Sequence, residues 1–133
     1  MSDPLTILVV DDEPSVRETV RKMLEDEGFV TRTAADGLDA LKALASGSRI
    51  SCVVTDMVMP EMDGITLAMK LHEARPGLPV VVISGRVDLA ASSIQGLAPL
   101  MNSEVGCLLK KPFTKEQLVD AIRRSLARAC GEV

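Results

Sequence analysis

Five short aliphatic runs, separated by longer amphipathic stretches, constrain this sequence more than any other feature of it. Residues 5–10, 30–34, 50–55, 80–83 and 107–109 read as strands. The first, third and fourth are nearly continuous in Val, Ile and Leu, as a parallel strand must be when helices cover both its faces. Between them, residues 14–27 carry Val16, Val20, Met23 and Leu24 at helical spacing, with Pro14 suited to a first turn and Gly28 to the stop. Residues 36–46 place Leu38, Leu41, Leu44 and Ala45 on one face, closed by Gly47. Residues 63–74 do likewise with Ile65, Ala68 and Leu71, and residues 115–129 bury Leu118, Ala121, Ile122 and Leu126. A helix over 88–95 fits between Ser84 and Lys111, with Gly96 and Pro99 placed to break or displace it. Five strand–helix units in alternation predict a doubly wound α/β domain, a five-stranded parallel sheet with five helices.

Length and composition narrow the function classes. At 133 residues the chain has room for one sizeable core and not two, so a single domain over 1–133 with no effector domain is expected. Aromatic residues make up only 2%, which leaves the core to aliphatic side chains. A net charge of −4 gives no support to a nucleic-acid surface, which needs clustered Lys and Arg. The densest basic cluster, Arg123, Arg124 and Arg128, reads as a solvated helix face. No stretch is as long as a membrane span, and the N-terminus lacks a signal-peptide pattern. Cys52, Cys107 and Cys130 are odd in number and far apart, so reduced thiols in a cytoplasmic protein are expected and a thiolate metal site is not.

The polar residues that directly follow the strands carry the chemistry. In the flavodoxin-like strand order 2-1-3-4-5, the first and third strands are neighbours, and their carboxyl ends meet where ligands bind in open α/β sheets. Asp11 and Asp12 follow the first strand and Asp56 the third. Three carboxylates together repel unless a cation joins them, and hard oxygen donors suit Mg2+ better than Zn2+. An Asp before a helix is commonly a cap, which accounts for Asp11 but not for an adjacent pair with a partner from another strand. Asp56 alone is a weak signal; the loop after it, Met59-Pro60-Glu61-Met62-Asp63-Gly64, strengthens it by restricting the chain and turning it into the next helix. A carboxylate held rigidly beside a cation can act as a nucleophile toward phosphorus. Ser84 could then hydrogen-bond the transferred group and Lys111 balance its charge, although Ser84-Gly85 also reads as a turn and Lys111 as a surface charge. Of the adjacent lysines, Lys110 is taken as the exposed one.

Taken together, Ile7-Leu-Val-Val-Asp-Asp-Glu13, Thr55-Asp-Met-Val-Met-Pro-Glu-Met-Asp-Gly64, Val82-Ile-Ser-Gly85 and Lys110-Lys-Pro-Phe113 resemble the receiver domain of bacterial two-component response regulators, over nearly the whole chain. The resemblance implies a phosphoacceptor switch or phosphorelay shuttle, with Asp56 accepting the phosphoryl group from the phosphohistidine of a sensor histidine kinase or a histidine phosphotransfer protein. It implies Mg2+ bound directly by Asp12 and Asp56, through water by Asp11, and by the backbone carbonyl of Val58. It makes Ser84 the switch hydroxyl and Lys111 the phosphate's charge partner, with a cis bond to Pro112. Two positions depart from the family pattern. Leu108 stands three residues before the lysine, where the family usually has Tyr or Phe, and the 86–104 region makes the stretch between Ser84 and Lys111 longer than the family norm. Signalling would then spread through that region to an unknown downstream protein instead of through a ring movement.

Two other classes compete. A pseudo-receiver acting as a binding scaffold would have lost one of the site residues, and none is lost. A Mg2+-dependent phosphatase with an aspartyl nucleophile would need a second carboxylate two residues on, and position 58 is Val.

Overall fold

Alternation along each strand sends successive side chains to opposite faces, and here it divides the apolar residues between two cores. The computed structural model describes residues 5–47, 49–85 and 106–129. The strands are β1 (Thr6–Val10), β2 (Val30–Ala34), β3 (Cys52–Asp56), β4 (Val80–Ser84) and β5 (Gly106–Lys110). They form one sheet in the order β2-β1-β3-β4-β5, with all neighbours parallel. Among the described residues there are four helices, α1 (Pro14–Asp26), α2 (Gly37–Ala45), α3 (Gly64–Ala74) and α4 (Lys115–Ala129). The helix expected over 88–95, and the long 86–104 region around it, lie outside the described residues.

Leu8, Val10, Val53, Val80 and Val82 point to the face covered by α2 and α3, where Ala40, Leu67, Ala68 and Leu71 meet them. Ile7, Val9, Cys52, Val54, Val81 and Ile83 point the other way, onto Val20 and Leu24 of α1 and Leu118, Ala121 and Ile122 of α4. The three central strands are therefore buried on both faces, which is why their sequences are unbroken aliphatic runs. The edge strand β2, Val-Thr-Arg-Thr-Ala, has a buried residue only at its end. Burial pushes the Cys52 thiol up, so it behaves as a small apolar side chain in the core.

The face expected of α2 needs correction. Leu38 is 58% exposed and Ala45 is also exposed, while Gly37 and Ala40 are buried and Leu41 and Leu44 pack on the core. Positions 37, 40, 41 and 44 make the proper helical stripe, and Leu38 falls one residue off it. Gly37 leads this stripe because the Met62 side chain lies where a Cβ would sit, 2.5 Å from Sδ.

Candidate functional site

Every strand-end residue expected to carry chemistry lies at the carboxyl edge of the sheet. Asp56 closes β3, Ser84 closes β4, Asp11 follows β1 and Lys111 follows β5. Their backbones stay tied to neighbouring segments where the strands end. The Asp11 amide donates to the Ala34 carbonyl at 3.2 Å, that of Met57 to Ile83 at 2.8 Å, and that of Lys111 to Ser84 at 2.8 Å. The site residues thus stand on the rigid sheet instead of on free loops.

Asp11, Asp12 and Asp56 each offer one carboxylate oxygen, and these oxygens all lie within 4.8 Å of one another. Asp11 is buried, Asp56 half-buried and Asp12 exposed. At that separation each pair of charges costs about 1–3 kcal/mol, between the dielectric of water and that near a protein surface. Lys111 answers part of this charge: its Nζ is 3.6 Å from Asp56 Oδ1. Lys110 is exposed, as expected. The Lys111–Pro112 bond is cis. Just beyond it Thr114 and Gln117 cap α4 reciprocally, each side chain bonding the other's amide, at 2.9 and 3.1 Å.

Asp11 is not a helix cap. Its Oδ1 accepts from the Glu13 amide at 2.9 Å within the turn, and the residue before α1, Glu13, makes no side-chain cap. The carboxylate therefore orders its own turn and remains beside its two neighbours. Burial pushes the Asp11 carboxyl above the ordinary range; the Glu13 amide opposes this and the charge on Asp56 adds to it. Asp56 is likewise pushed up by burial, against the pull of the Lys111 ammonium.

A carboxyl raised in the folded state stabilises the fold only below its ordinary range, and that stability is lost as pH rises through the raised value. The metal-free protein therefore carries a charge burden at neutral pH. Asp11→Asn, which keeps an oxygen for the Glu13 amide, should stabilise it by about 1 kcal/mol, roughly 3–5 °C in Tm. The gain should shrink on acidification toward pH 4. A thermal melt showing no gain at neutral pH, or a constant gain across that range, would contradict the expectation.

Gly64 is essential for a reason that turn chemistry does not supply. Its φ is not in the left-handed region; instead, a Cβ there would sit 2.2 Å from the backbone oxygen of Asp56 and 2.9 Å from the Met57 Cα. The Gly64 amide donates to the Met57 carbonyl at 2.8 Å, so α3 begins directly against the strand end that carries Asp56. Asp63 caps that helix, accepting from the Thr66 amide at 2.7 Å. The loop between them holds Glu61 at a φ of 69°, a costly setting for a residue with a Cβ.

Buried Ser84 shares this edge of the sheet. Val58 lies two residues past Asp56 and is 55% exposed. Leu108 is partly buried in β5 opposite Val82 and packs on the α2–α3 core.

An acidic trio at the carboxyl ends of adjacent β1 and β3, faced by a lysine from the far edge strand, is the arrangement expected from the motifs. The sequence matches the family described as the response regulator receiver domain over residues 7–123. The chain belongs to that family.

This receiver domain is 35% identical over 125 residues to the response regulator MprA of Mycobacterium sp. (strain KMS), an alignment covering 94% of this chain and 52% of that protein. The chain thus spans about half the length of the curated relatives it matches. Among solved structures it resembles a receiver protein from Sinorhizobium medicae at 34% identity and a TM-score of 0.79, covering 95% of this chain and 98% of that one. A receiver domain protein from Clostridium thermocellum superposes with a TM-score of 0.83 at 27% identity, covering 97% and 99% of the two chains. No helix among the described residues is long and apolar enough to cross a membrane.

The donor set of the receiver domain fits a hard divalent cation. It is all oxygen and anionic, its three carboxylates lie within 4.8 Å of one another, and it is open to solvent at Asp12. One residue here was missed in the sequence, Arg17, whose Nη1 donates to the Asp11 backbone carbonyl at 2.6 Å. Side chains early in a helix lean toward its N-terminus, and that direction was the available signal.

Proposed function

We propose that this receiver domain is a phosphoacceptor switch whose nucleophile is Asp56. The observation that carries the reading is the Asp56 carboxylate, which lies within 4.8 Å of the Asp11 and Asp12 carboxylates and 3.6 Å from the Lys111 ammonium. A carboxylate oxygen of Asp56 attacks phosphorus of a phosphohistidine, forming an acyl phosphate as the P–N bond breaks and the imidazole leaves. The donor is a sensor histidine kinase or a histidine phosphotransfer protein. Asp11, Asp12, Asp56 and the Val58 carbonyl would hold Mg2+, which when bound neutralises the phosphoryl oxygens. Lys111 balances the charge added at Asp56, and Ser84 hydrogen-bonds the new phosphoryl oxygen and draws its strand end toward it. The domain catalyses its own phosphorylation and dephosphorylation and acts on no other substrate. Its output passes by protein–protein contact in the cytoplasm, where thiols stay reduced.

The reading is tested by transfer from a phosphorylated kinase in the presence of Mg2+, with the label mapped to its peptide; label elsewhere than on Asp56 would refute it. A split between the two acidic neighbours provides a finer test. Asp12→Ala should weaken Mg2+ binding more than Asp11→Ala, since Asp12 is read as touching the metal directly and Asp11 through water. Equal losses in titration calorimetry would contradict that division. Calorimetry is the suitable method, because the chain has no Trp to report quenching.

A further inference from the structure

Arg17 reaches back from α1 to the acidic turn that precedes the helix. Asp11 in that turn is held by three bonds. Its amide donates to the Ala34 carbonyl next door on β2, at 3.2 Å. Its Oδ1 accepts from the Glu13 amide at 2.9 Å. Its carbonyl accepts from Arg17 Nη1 at 2.6 Å, in a part-buried setting. The last two each involve a charged group, a carboxylate acceptor and a guanidinium donor, and charge-assisted bonds are about twice as strong as neutral ones. The carbonyl it grips belongs to the peptide unit linking Asp11 to Asp12, so it governs how both carboxylates are presented. Lys111 faces the Asp56 side of the cluster; Arg17 holds the Asp11 side by its backbone.

We propose that Arg17 is a positioning residue: it orders the turn carrying Asp11 and Asp12 and thereby sets how tightly the acidic cluster takes a divalent cation. It does so without touching the phosphoryl group. The inference rests on the metal-holding reading of Asp11, Asp12 and Asp56 given above. Two effects of removing the guanidinium oppose each other. Loss of a positive charge near three carboxylates would tighten Mg2+ binding, whereas loss of order in the turn would weaken it. Ordering dominates, because the guanidinium bonds the backbone carbonyl of the turn and not a carboxylate.

The test uses Arg17→Met, which keeps an apolar stem on the helix and removes the donor, with Arg17→Lys as the conservative variant. Mg2+ itself is the probe, titrated calorimetrically against the whole protein, with Asp12→Ala alongside. Arg17→Met should raise the Mg2+ Kd about tenfold, the low end for loss of a group that orients a metal ligand. In the metal-free protein, exchange of the Glu13 amide should also speed up about tenfold while that of Val54 in β3 stays unchanged. Arg17→Lys should recover part of both losses. Unchanged or tighter Mg2+ binding in Arg17→Met overturns the proposal, as does faster exchange spread evenly over the sheet without a change in Kd. If the wild-type protein takes no Mg2+, or Asp12→Ala takes it equally well, the metal-holding reading itself fails. If the wild type binds and Arg17→Met binds equally, this inference fails alone.

Discussion

Asp56→Asn is expected to abolish phosphorylation by acetyl phosphate and by kinase alike, with no label detectable by intact mass. The amide matches the carboxylate in shape but has no anionic oxygen to attack phosphorus. It also removes one of three charges whose oxygens crowd within 4.8 Å, and it weakens the 3.6 Å pairing with Lys111. Burial has already pushed the Asp56 carboxyl up, so the charge is a net burden on the metal-free fold. The mutant should therefore fold normally and melt no lower than the wild type at neutral pH. A variant that still takes label on a native fold would place the nucleophile elsewhere. An unfolded variant would show instead that Asp56 supports the sheet edge through its ammonium partner.

Gly64→Ala should be the most damaging glycine-to-alanine change among the described residues. The added Cβ would lie 2.2 Å from the Asp56 carbonyl oxygen and 2.9 Å from the Met57 Cα, both backbone atoms that cannot rotate aside. Either the start of α3 or the end of β3 must move, at a cost of about 3 kcal/mol and a fall in Tm on the order of 10 °C. A shift of the end of β3 would carry Asp56, the proposed nucleophile, with it, and a displacement of about 1 Å can cost about a hundredfold in rate. Phosphorylation should therefore slow more than the loss of folded protein explains. Gly37→Ala is the contrast: its Cβ meets only the flexible Met62 side chain, at 2.5 Å from Sδ, so about 1 kcal/mol is expected. Chemical denaturation and single-turnover labelling of both variants would decide the matter; equal effects would mean that the Gly64 contact is relieved as easily as the Gly37 one.

The architecture is legible in the sequence because its causes are local. Aliphatic runs such as Ile7-Leu-Val-Val10 suit a parallel sheet buried on both faces, and the intervening helical stripes say what covers them. The flavodoxin-like strand order expected for such a sheet is the order observed. Asp11, Asp12, Asp56 and Lys111 stand out because each lies at or just past the end of a strand, and the carboxyl ends of adjacent parallel strands must come together. Reading helix faces one residue at a time failed in α2. Leu38 is apolar yet exposed, because the packing of Gly37 on Met62 settles the rotation of that helix.

Tertiary structure alone decided how the site is held. That Asp11 orders its own turn instead of capping a helix depends on where the Glu13 amide points. Arg17 belongs to the site because its guanidinium arrives over a carbonyl six residues back, and no motif records such a reach. Gly64 looked like a turn glycine, yet what excludes a side chain there is the backbone of a strand eight positions earlier, at Asp56. The division has one physical origin. Periodicity and strand-end placement are properties of neighbouring residues, so a sequence displays them directly. Close approach, hydrogen-bond direction and burial are properties of segments distant along the chain, and they exist only once packing has brought those segments into contact.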